Sequence, residues 1–257
     1  MTAAAQGTSD RQPRRRPTAR ERARTEVTAE ILEAARRQLA DSGAGAISLR
    51  AIARDLGMSS SAVYRYFPSR DDVLTRLIVE AYDAVGEAAE GARDAAEAAE
   101  LSAPDTFREV WRAVRAWALT HPHEYALIYG SPVPGYRAPV DTVPPATRLP
   151  WVLLGLLASS GAGAAMPPSQ GQASAATLAA ALGPLREQLP DDSIDDQTLL
   201  AALTSYSALV GALSFELFGH THNVVESDPT ARASFFDDQI DLMIAMVGIP
   251  NPPQPPR

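Results

Sequence analysis

One short stretch of this sequence, residues 49–70, gathers hydroxyl, phenol and guanidinium groups at spacings that a helix can present together. Each of these groups can donate a hydrogen bond to a phosphate oxygen, and serine and arginine can also bond to the edges of DNA bases. The side chains concerned are Arg50, Ser59, Ser60, Ser61, Tyr64, Arg65, Tyr66 and Arg70. Ala62 adds a methyl group that suits a thymine methyl. Contact with a nucleic acid is the chemistry that this stretch predicts.

Two short helices separated by a glycine turn are predicted within this stretch, at residues 49–68. Ser48 and Ser59 are capping residues at the starts of the two helices, and Gly57 ends the first helix. The apolar positions recur every three to four residues, as in helices with one buried face. These positions are Leu49, Ile52, Ala53, Leu56, Val63 and Phe67. The outline is that of a helix-turn-helix, whose first helix braces the second in the major groove of DNA.

Residues 26–78 resemble the N-terminal domain of the TetR family of transcriptional regulators. The resemblance covers about a fifth of the chain and is carried by Ile31, Ala34, Ala35, Leu39, Gly43, Ser48, Leu49, Arg50, Ile52, Ala53, Leu56, Gly57, Ser59, Val63, Tyr64, Arg65, Tyr66, Phe67, Ser69, Arg70 and Leu74. Residues 117–139 and 211–220 more faintly resemble a C-terminal domain that follows such heads in actinobacterial regulators. The resemblance implies a homodimer of helical subunits, each with a DNA-binding head and a larger ligand-binding body.

The same resemblance implies roles for individual side chains. The residues expected to face bases are Arg50, Ser60, Ser61, Ala62 and Tyr64. The residues expected to hold the phosphate backbone are Tyr64, Tyr66 and Arg70. The family often has Lys, Gly and Thr in place of residues 60–62 and His in place of residue 66, so the operator sequence does not follow from the resemblance.

Charge is distributed unevenly along the chain, whose formal net charge is −8. Residues 1–76 contain 14 arginines and 9 acidic residues, whereas residues 77–257 contain 9 arginines and 22 acidic residues. The net charges are therefore +5 and −13, and we expect only the front of the chain to meet a polyanion.

Residues 1–19 are predicted to be a disordered, arginine-rich arm. The arginines in and just after this arm include Arg14, Arg15, Arg16, Arg20, Arg22 and Arg24. They could follow the DNA backbone or enter the minor groove, where each neutralised phosphate adds about 0.9 to the salt dependence of binding. A solvated tail without DNA contacts is the alternative, and the sequence leaves both open.

Other classes of chemistry find little support in the sequence. The chain has no cysteine, which excludes disulfides, thiolate nucleophiles and iron–sulfur clusters. No nucleophile elbow, phosphate loop or dinucleotide glycine pattern occurs, so an enzyme is a poor second hypothesis and no cofactor is expected. The histidine pairs at residues 121 and 123 and at 220 and 222 are two residues apart, and we expect no metal. No apolar run reaches membrane-spanning length, which predicts a cytoplasmic protein without a membrane partner.

The whole chain is predicted to be all-α. The expected domains are a helix-turn-helix head at residues 20–70, a helical ligand-binding and dimerisation body at 71–247, and a proline-rich tail at 248–257. Proline predicts a loop over residues 130–146, and small residues predict a mobile segment over 159–176. Further helices are expected near residues 105–120, 124–129, 147–158, 175–189, 195–218 and 229–247.

Aromatic and apolar side chains predict two surfaces in the body. A ligand pocket is expected to include Trp111, Trp117, Tyr125, Tyr129, Trp151, Phe215 and Phe218, although each of these residues could equally belong to the core. A dimer interface formed by the last two helices is expected to include Leu199, Leu203, Val210, Leu213, Leu217, Ile240, Met243, Ile244 and Val247. Packing within one chain would use the same residues, and both uses stay open.

These observations together favour a ligand-responsive transcriptional regulator. The expected mechanism is that of a repressor that binds a palindromic DNA operator as a homodimer and is released by an unknown small-molecule effector. An architectural DNA-binding protein that senses nothing is the alternative.

Overall fold

Ten α-helices form the regular structure of residues 18–163, 175–189 and 194–250, which are the residues that the computed structural model of this chain describes. No β-strand occurs within these ranges, and the prediction of an all-α fold is confirmed. The helices are α1 (Ala19–Ser42), α2 (Leu49–Asp55), α3 (Ser60–Tyr64), α4 (Arg70–Ala98), α5 (Ala103–Thr120), α6 (Pro122–Tyr129), α7 (Val143–Ser160), α8 (Ala175–Arg186), α9 (Asp196–Leu217) and α10 (Pro229–Val247). Most of the predicted arm and tail, and residues 164–174 of the small-residue segment, lie outside the described residues.

Short polar side chains begin the N-terminal helices, as the sequence predicted for Ser48 and Ser59. The hydroxyl groups of Ser48, Ser59 and Ser69 each accept a hydrogen bond from the backbone N–H three residues later, at 3.2–3.4 Å. Thr18 and Glu21 form a reciprocal capping box at the start of α1. These bonds satisfy N–H groups that the first turn of a helix leaves without an intrahelical partner.

The N-terminal head has its own apolar core, where α1, α2 and α3 meet the first turns of α4. Ile52 and Val63 are completely buried there, so that α3 is held by its inner face. Leu74 and Leu77 of α4 belong to the same cluster. The core of the head therefore extends beyond residue 70, where the sequence predicted that the head would end.

Residues 122–136, which include α6 and part of the following loop and form the α6 segment, join the head to the body. Leu127 on α6, together with Val133 and Tyr136 in the loop, packs against the core of the head. The Tyr136 hydroxyl and the Thr75 hydroxyl on α4 share a hydrogen bond of 2.9 Å. On its other side α6 packs against α9. This segment thus contacts the head, α4 and α9 at once.

Helices α4 and α7 approach each other closely at a glycine. Arg148 of α7 lies across Gly86 of α4, and a Cβ atom at Gly86 would lie 2.7 Å from the Arg148 Cβ. The Arg148 guanidinium donates to the carboxylate of Glu90 at 2.7 and 2.9 Å and to that of Asp83 at 2.7 Å. Close packing and ion pairing therefore coincide at this one crossing.

Gly86→Ala is expected to destabilise the protein by about 1–3 kcal/mol, because the added methyl group forces Arg148 and α7 away from α4. Gly91→Ala on the same helix is the matched control, since nothing lies within 4 Å of a Cβ atom there. The control should stabilise the protein by about 0.5–1 kcal/mol through helix propensity alone. Urea unfolding measures both values, and a shift in the same direction for the two variants would contradict the crossing.

The ion pair with Arg148 makes stability depend on acid pH. The hydrogen bond from Arg148 is the main cause that lowers the pKa of Glu90 below its ordinary value of 4.5. The ion pair between Arg148 and Glu90 therefore contributes fully to the free energy of unfolding above pH 4.5. This contribution is lost as pH falls through the lowered pKa of Glu90. We expect Glu90→Gln to flatten the acid limb of unfolding free energy against pH, because it removes the carboxylate that the Arg148 guanidinium binds. Equal acid limbs in Glu90→Gln and the wild type would argue against this pair.

One predicted loop is partly helical. The prediction of a loop over residues 130–146 is wrong for its last residues, because α7 begins at Val143. Pro144 and Pro145 occupy the first turn, where an N–H group has no intrahelical partner to lose. Pro150 lies inside α7. Proline therefore marked the start of this helix rather than its absence.

Candidate nucleic-acid interface

Helix α3 stands on the head with a buried anchor and an open outer face. Val63 is completely buried, and the half-buried Ala62 lies beside it. The exposed residues of α3 and its flanks are Ser59, Ser60, Ser61, Tyr64 and Arg65. Six side chains between residues 59 and 65 were predicted to contact DNA. Five of the six are exposed and therefore accessible to a DNA duplex.

A tight turn fixes the angle between α2 and α3. Gly57 has a φ of +64°, a conformation in which a side chain is strained. The N–H of Met58 then donates to the carbonyl of Ala53 at 2.8 Å. The hydroxyl groups of Ser59 and Ser61 lie 3.1 Å apart, so the serines at the start of α3 are held together. The outer face of α3 is therefore presented on a rigid support.

Three exposed arginines of α2 and the end of α3 have no carboxylate partner among the described residues. Arg50, Arg54 and Arg65 make no ion pair with any residue in the described ranges. The arginines of α5 and α7 differ, because they form ion pairs with acidic residues of α4, α5, α9 and α10. Arg50, Arg54 and Arg65 therefore give the head positive charge that no carboxylate of the described residues compensates. Arg54 was not among the residues predicted to contact DNA, although its place on α2, one turn after Arg50, could have indicated it.

Tyr66 and Arg70 are less free than the sequence predicted. The guanidinium of Arg24 lies over the ring of the half-buried Tyr66, 5.4 Å from its centroid. The Arg70 guanidinium donates from Nη2 to the carbonyl of Ala44 at 2.8 Å and lies 3.7 Å from Asp71. Tyr66 thus contacts Arg24, a basic residue of α1. Arg70 connects the start of α4 to the turn after α1 through its hydrogen bond to Ala44.

Comparison with known proteins agrees with this geometry. Residues 31–77 match the family described as bacterial regulatory proteins, tetR family, and residues 107–243 match the tetracyclin repressor-like C-terminal domain. HTH-type transcriptional regulators of Mycobacterium tuberculosis and Mycobacterium bovis are each 39% identical over 226 residues, which cover 88% of this chain and 94% of theirs. The chain is a member of the TetR family. It is thus a DNA-binding transcriptional regulator, which is a non-enzymatic role.

Solved structures share the fold of this TetR-family chain. The crystal structure of SCO4313, described as a regulatory protein, has a TM-score of 0.69 at 35% identity and covers 88% of this chain and 99% of its own. A tetR-family regulatory protein from Rhodococcus RHA1 has a TM-score of 0.51 at 19% identity, covering 88% of this chain and 99% of its own. The second comparison supports the fold alone.

The side chains predicted to line one pocket of the TetR-family body are distributed over several places. Trp111 and Tyr125 are completely buried in the body's core, because the largest apolar side chains fill the space between its helices. Trp117 stacks on His121, with ring centroids 5.7 Å apart, beside a cleft of 540 Å³ between α1 and α4–α6. Phe215, which is 58% exposed, lines another groove of 380 Å³ between α9 and α10.

The other three predicted pocket residues lie at different depths. Tyr129 packs beside Tyr125 within the body, with the two rings tilted by 48°. Trp151 is half-buried against the body's core, and Phe218 is 43% exposed at the end of α9. The spacing of these residues along the sequence could not predict which of them are buried and which are exposed.

The residues predicted for a dimer interface also divide into two groups. Five of them are buried in the chain's own core, and they are Leu199, Leu213, Ile240, Ile244 and Val247. Val210, Leu217 and Met243 are half-buried, whereas Leu203 is 42% exposed. Four further apolar side chains, which were not predicted for the interface, are exposed on α9 and α10. They are Leu200, Phe215, Phe235 and Leu242.

Two further predictions concern metals and membranes. Among the residues that the structure describes, no group of three or more histidine, aspartate and glutamate side chains could hold a metal ion. One helix within the same ranges, α9, is long and apolar enough to cross a membrane, and 33% of that segment is buried. One helix of this kind does not indicate a membrane protein.

Proposed function

We propose that this TetR-family regulator binds a palindromic operator as a homodimer, represses transcription there and is released by a small-molecule effector. The exposed outer face of α3, together with three exposed and unpaired arginines on α2 and at the end of α3, is the observation that carries the proposal. The residues proposed to contact DNA are Arg50, Arg54, Ser59, Ser60, Ser61, Ala62, Tyr64, Arg65 and Tyr66. The protein would act in the cytoplasm, where bacterial DNA lies.

The proposed dimer interface is the exposed apolar face of α9 and α10. Leu200, Leu203 and Phe215 recur at helical spacing on the outer side of α9, and α10 adds Phe235 and Leu242. Clustered exposed apolar side chains of this kind are typical of surfaces that bind a protein partner. A two-fold axis through this face would place the two α3 helices about 34–36 Å apart, one turn of DNA.

The proposed release is a shift between two conformations of the body. An effector that binds one conformation more tightly favours a spacing of the heads that no longer fits both half-sites. The free energy of this shift cannot exceed the difference between the effector's binding free energies for the two conformations. Helix α4 and the α6 segment are the connections through which the body would move the head, since both contribute to the core of the head.

A specific observation also favours the non-sensing alternative. The aromatic side chains inside the body pack against one another, and Trp111 and Tyr125 are completely buried. A thermal-shift screen of small apolar and aromatic compounds separates the two hypotheses, because an effector that binds the folded state raises the melting temperature. A screen without any shift supports the architectural protein.

The experiment that tests DNA recognition is selection of the purified protein on random duplex DNA, followed by titration of the selected duplex at several salt concentrations. Enrichment of one palindrome, bound far more tightly than scrambled DNA, is the expected result. Weak, salt-sensitive binding without enrichment would contradict the proposal.

Salt dependence tests the phosphate contacts proposed for the unpaired arginines. Arg54→Gln removes two phosphate contacts from a dimer, and we expect the slope of log affinity against log salt to fall by about 1.8. Arg93→Gln is the control, because Arg93 lies in the body near the end of α4, 23 residues after the helix begins at the head. An unchanged slope in the Arg54 variant would exclude a phosphate contact there.

A further inference from the structure

Helix α4 passes from the core of the head to the core of the body within about one helical turn. Leu77 belongs to the apolar cluster of the head, and Ala81 belongs to the apolar cluster of the body. Glu80 lies between these two residues, about 15 Å along α4 from its first residue. A side chain of the head that binds Glu80 is therefore held at the point where the head ends and the body begins.

An arginine of α1 reaches Glu80 from the head. The Arg36 guanidinium donates from Nη2 to Oε2 of Glu80, and the two side chains are 33% and 26% exposed. Arg76, one turn earlier on α4, donates from Nε to the other oxygen, Oε1, at 2.7 Å. Each oxygen of this carboxylate thus accepts from a different helix, Oε1 from α4 itself and Oε2 from α1.

A cleft of 540 Å³ lies beside this ion pair and separates α1 from α5 and α6. Arg37 of α1 lines one side of the cleft, and Trp117 and His123 line the other side. Arg36 and Glu80 line the same cleft where α1 approaches α4. Space rather than apolar packing therefore lies between α1 and the body on this side, and the ion pair connects the two.

The other carboxylate near Arg36 cannot replace this connection. Glu33 lies 3.5 Å from the Arg36 guanidinium, but it belongs to α1 as well and is 60% exposed. An exposed ion pair within one helix contributes little free energy and holds no second helix in place. Among the ion pairs of the residues that the structure describes, the Arg36–Glu80 pair is the one that joins α1 to α4.

We infer that Glu80 is a positioning residue for DNA binding, and that its ion pair with Arg36 fixes the angle of α1–α3 on α4. This inference rests on the proposed binding of a palindrome by a homodimer. Neighbouring base pairs are about 3.4 Å apart along a duplex. A tilt that changes the separation of the two α3 helices by this distance shifts one head by a whole base pair. The ion pair therefore selects the spacing between half-sites, which the base contacts of α3 do not set.

Operators of different spacing test this inference. The probes are the palindrome selected by the wild type and two versions with one base pair inserted into its centre or removed from it. We expect Glu80→Gln to reduce the preference for the original spacing at least about threefold, because each dimer contains the ion pair twice. Affinity for a duplex with a single half-site should stay within about twofold of the wild-type value, because α3 is unaltered.

Arg36→Gln separates the loss of the ion pair from a change of charge. Arg36→Gln removes a positive charge and Glu80→Gln removes a negative charge, so they change the attraction to DNA in opposite directions. Both break the same ion pair, and we expect both to reduce the preference for the original spacing. The double variant should reduce it no further than either single variant. Opposite changes in the two single variants, or additive losses in the double variant, would overturn the inference.

Arg76→Gln is the matched control. It removes the second partner of Glu80 but leaves the Arg36–Glu80 pair in place. The control should keep the spacing preference of the wild type, and a loss as large as that in Glu80→Gln would overturn the inference. Full preference in both Glu80→Gln and Arg36→Gln would overturn it too.

Distances between the heads give a second measurement that needs no DNA. The chain has no cysteine, so Ala29→Cys, at an exposed position of α1, attaches one spin label to each head. Pulsed electron resonance of the labelled dimer measures the distribution of distances between the two labels. We expect a broader distribution when Glu80→Gln is added, because the heads are then free to tilt. Equal widths would contradict the positioning role.

The wild type separates this inference from the proposed function. A wild type that selects no palindrome, or that binds all three spacings equally, contradicts the proposed function and the inference with it. A wild type that prefers one spacing, together with ion-pair variants that prefer it equally, contradicts the inference alone.

Discussion

Replacing Tyr64 with alanine is expected to weaken operator binding by at least about a hundredfold while the fold stays intact. Tyr64 lies on the outer face of α3 with 42% of its surface exposed, so its removal opens no cavity in the head. A two-fold dimer presents this side chain twice, and each good contact to DNA is worth about 1–3 kcal/mol. Fluorescence anisotropy with the selected duplex measures the loss.

Two comparisons identify what Tyr64 contributes. Tyr64→Phe retains the ring and loses the hydroxyl, so an intermediate affinity would assign part of the contact to a hydrogen bond. The melting temperature and dimer mass of Tyr64→Ala should equal those of the wild type. Unchanged operator affinity in Tyr64→Ala would mean that α3 does not face the DNA.

Replacing Leu203 with arginine is expected to dissociate the dimer and thereby to lower operator affinity by at least about a hundredfold. Leu203 lies on the exposed apolar face of α9, and 42% of its surface is exposed in the single chain. Across a two-fold axis each subunit would bury a guanidinium in an apolar surface, and removing that charge from water is costly. A monomer then holds only one half-site and loses the gain from joining two heads.

Leu101→Arg is a closely matched control for this substitution. Leu101 is also 42% exposed, but it lies in the turn between α4 and α5 rather than on α9. Sedimentation velocity at micromolar concentration should show a monomer for Leu203→Arg and a dimer for Leu101→Arg. A dimer in both variants would move the interface away from α9.

The helices of the head could be predicted because local signals agree with their environment. Ser48, Ser59 and Ser69 cap helices in the structure, and Val63 faces inward as its spacing requires. Short-range hydrogen bonds and helical periodicity decide these features, and both are visible in a few consecutive residues.

The two faces of α9 could not be separated from the sequence. Leu199 and Leu213 are buried in the chain's own core, whereas Leu200 and Leu203 are exposed. Small and apolar residues surround the whole helix, so its periodicity does not distinguish a core face from an interface. The ion pairs of the body were equally hidden, since Arg115 and Glu216 lie 101 residues apart. Arg70 likewise bonds to Ala44, a contact that only the folded chain creates.

The α6 segment limits how this regulator can be re-engineered. An exchange of heads between relatives, cut at the start of α4, would leave behind Leu127, Val133 and Tyr136, which cover the core of the head. The transplanted head would then expose apolar surface that its new body had not evolved to cover. A working chimera should therefore take these three residues from the same protein as the head. The part that has to be exchanged is then discontinuous in the sequence.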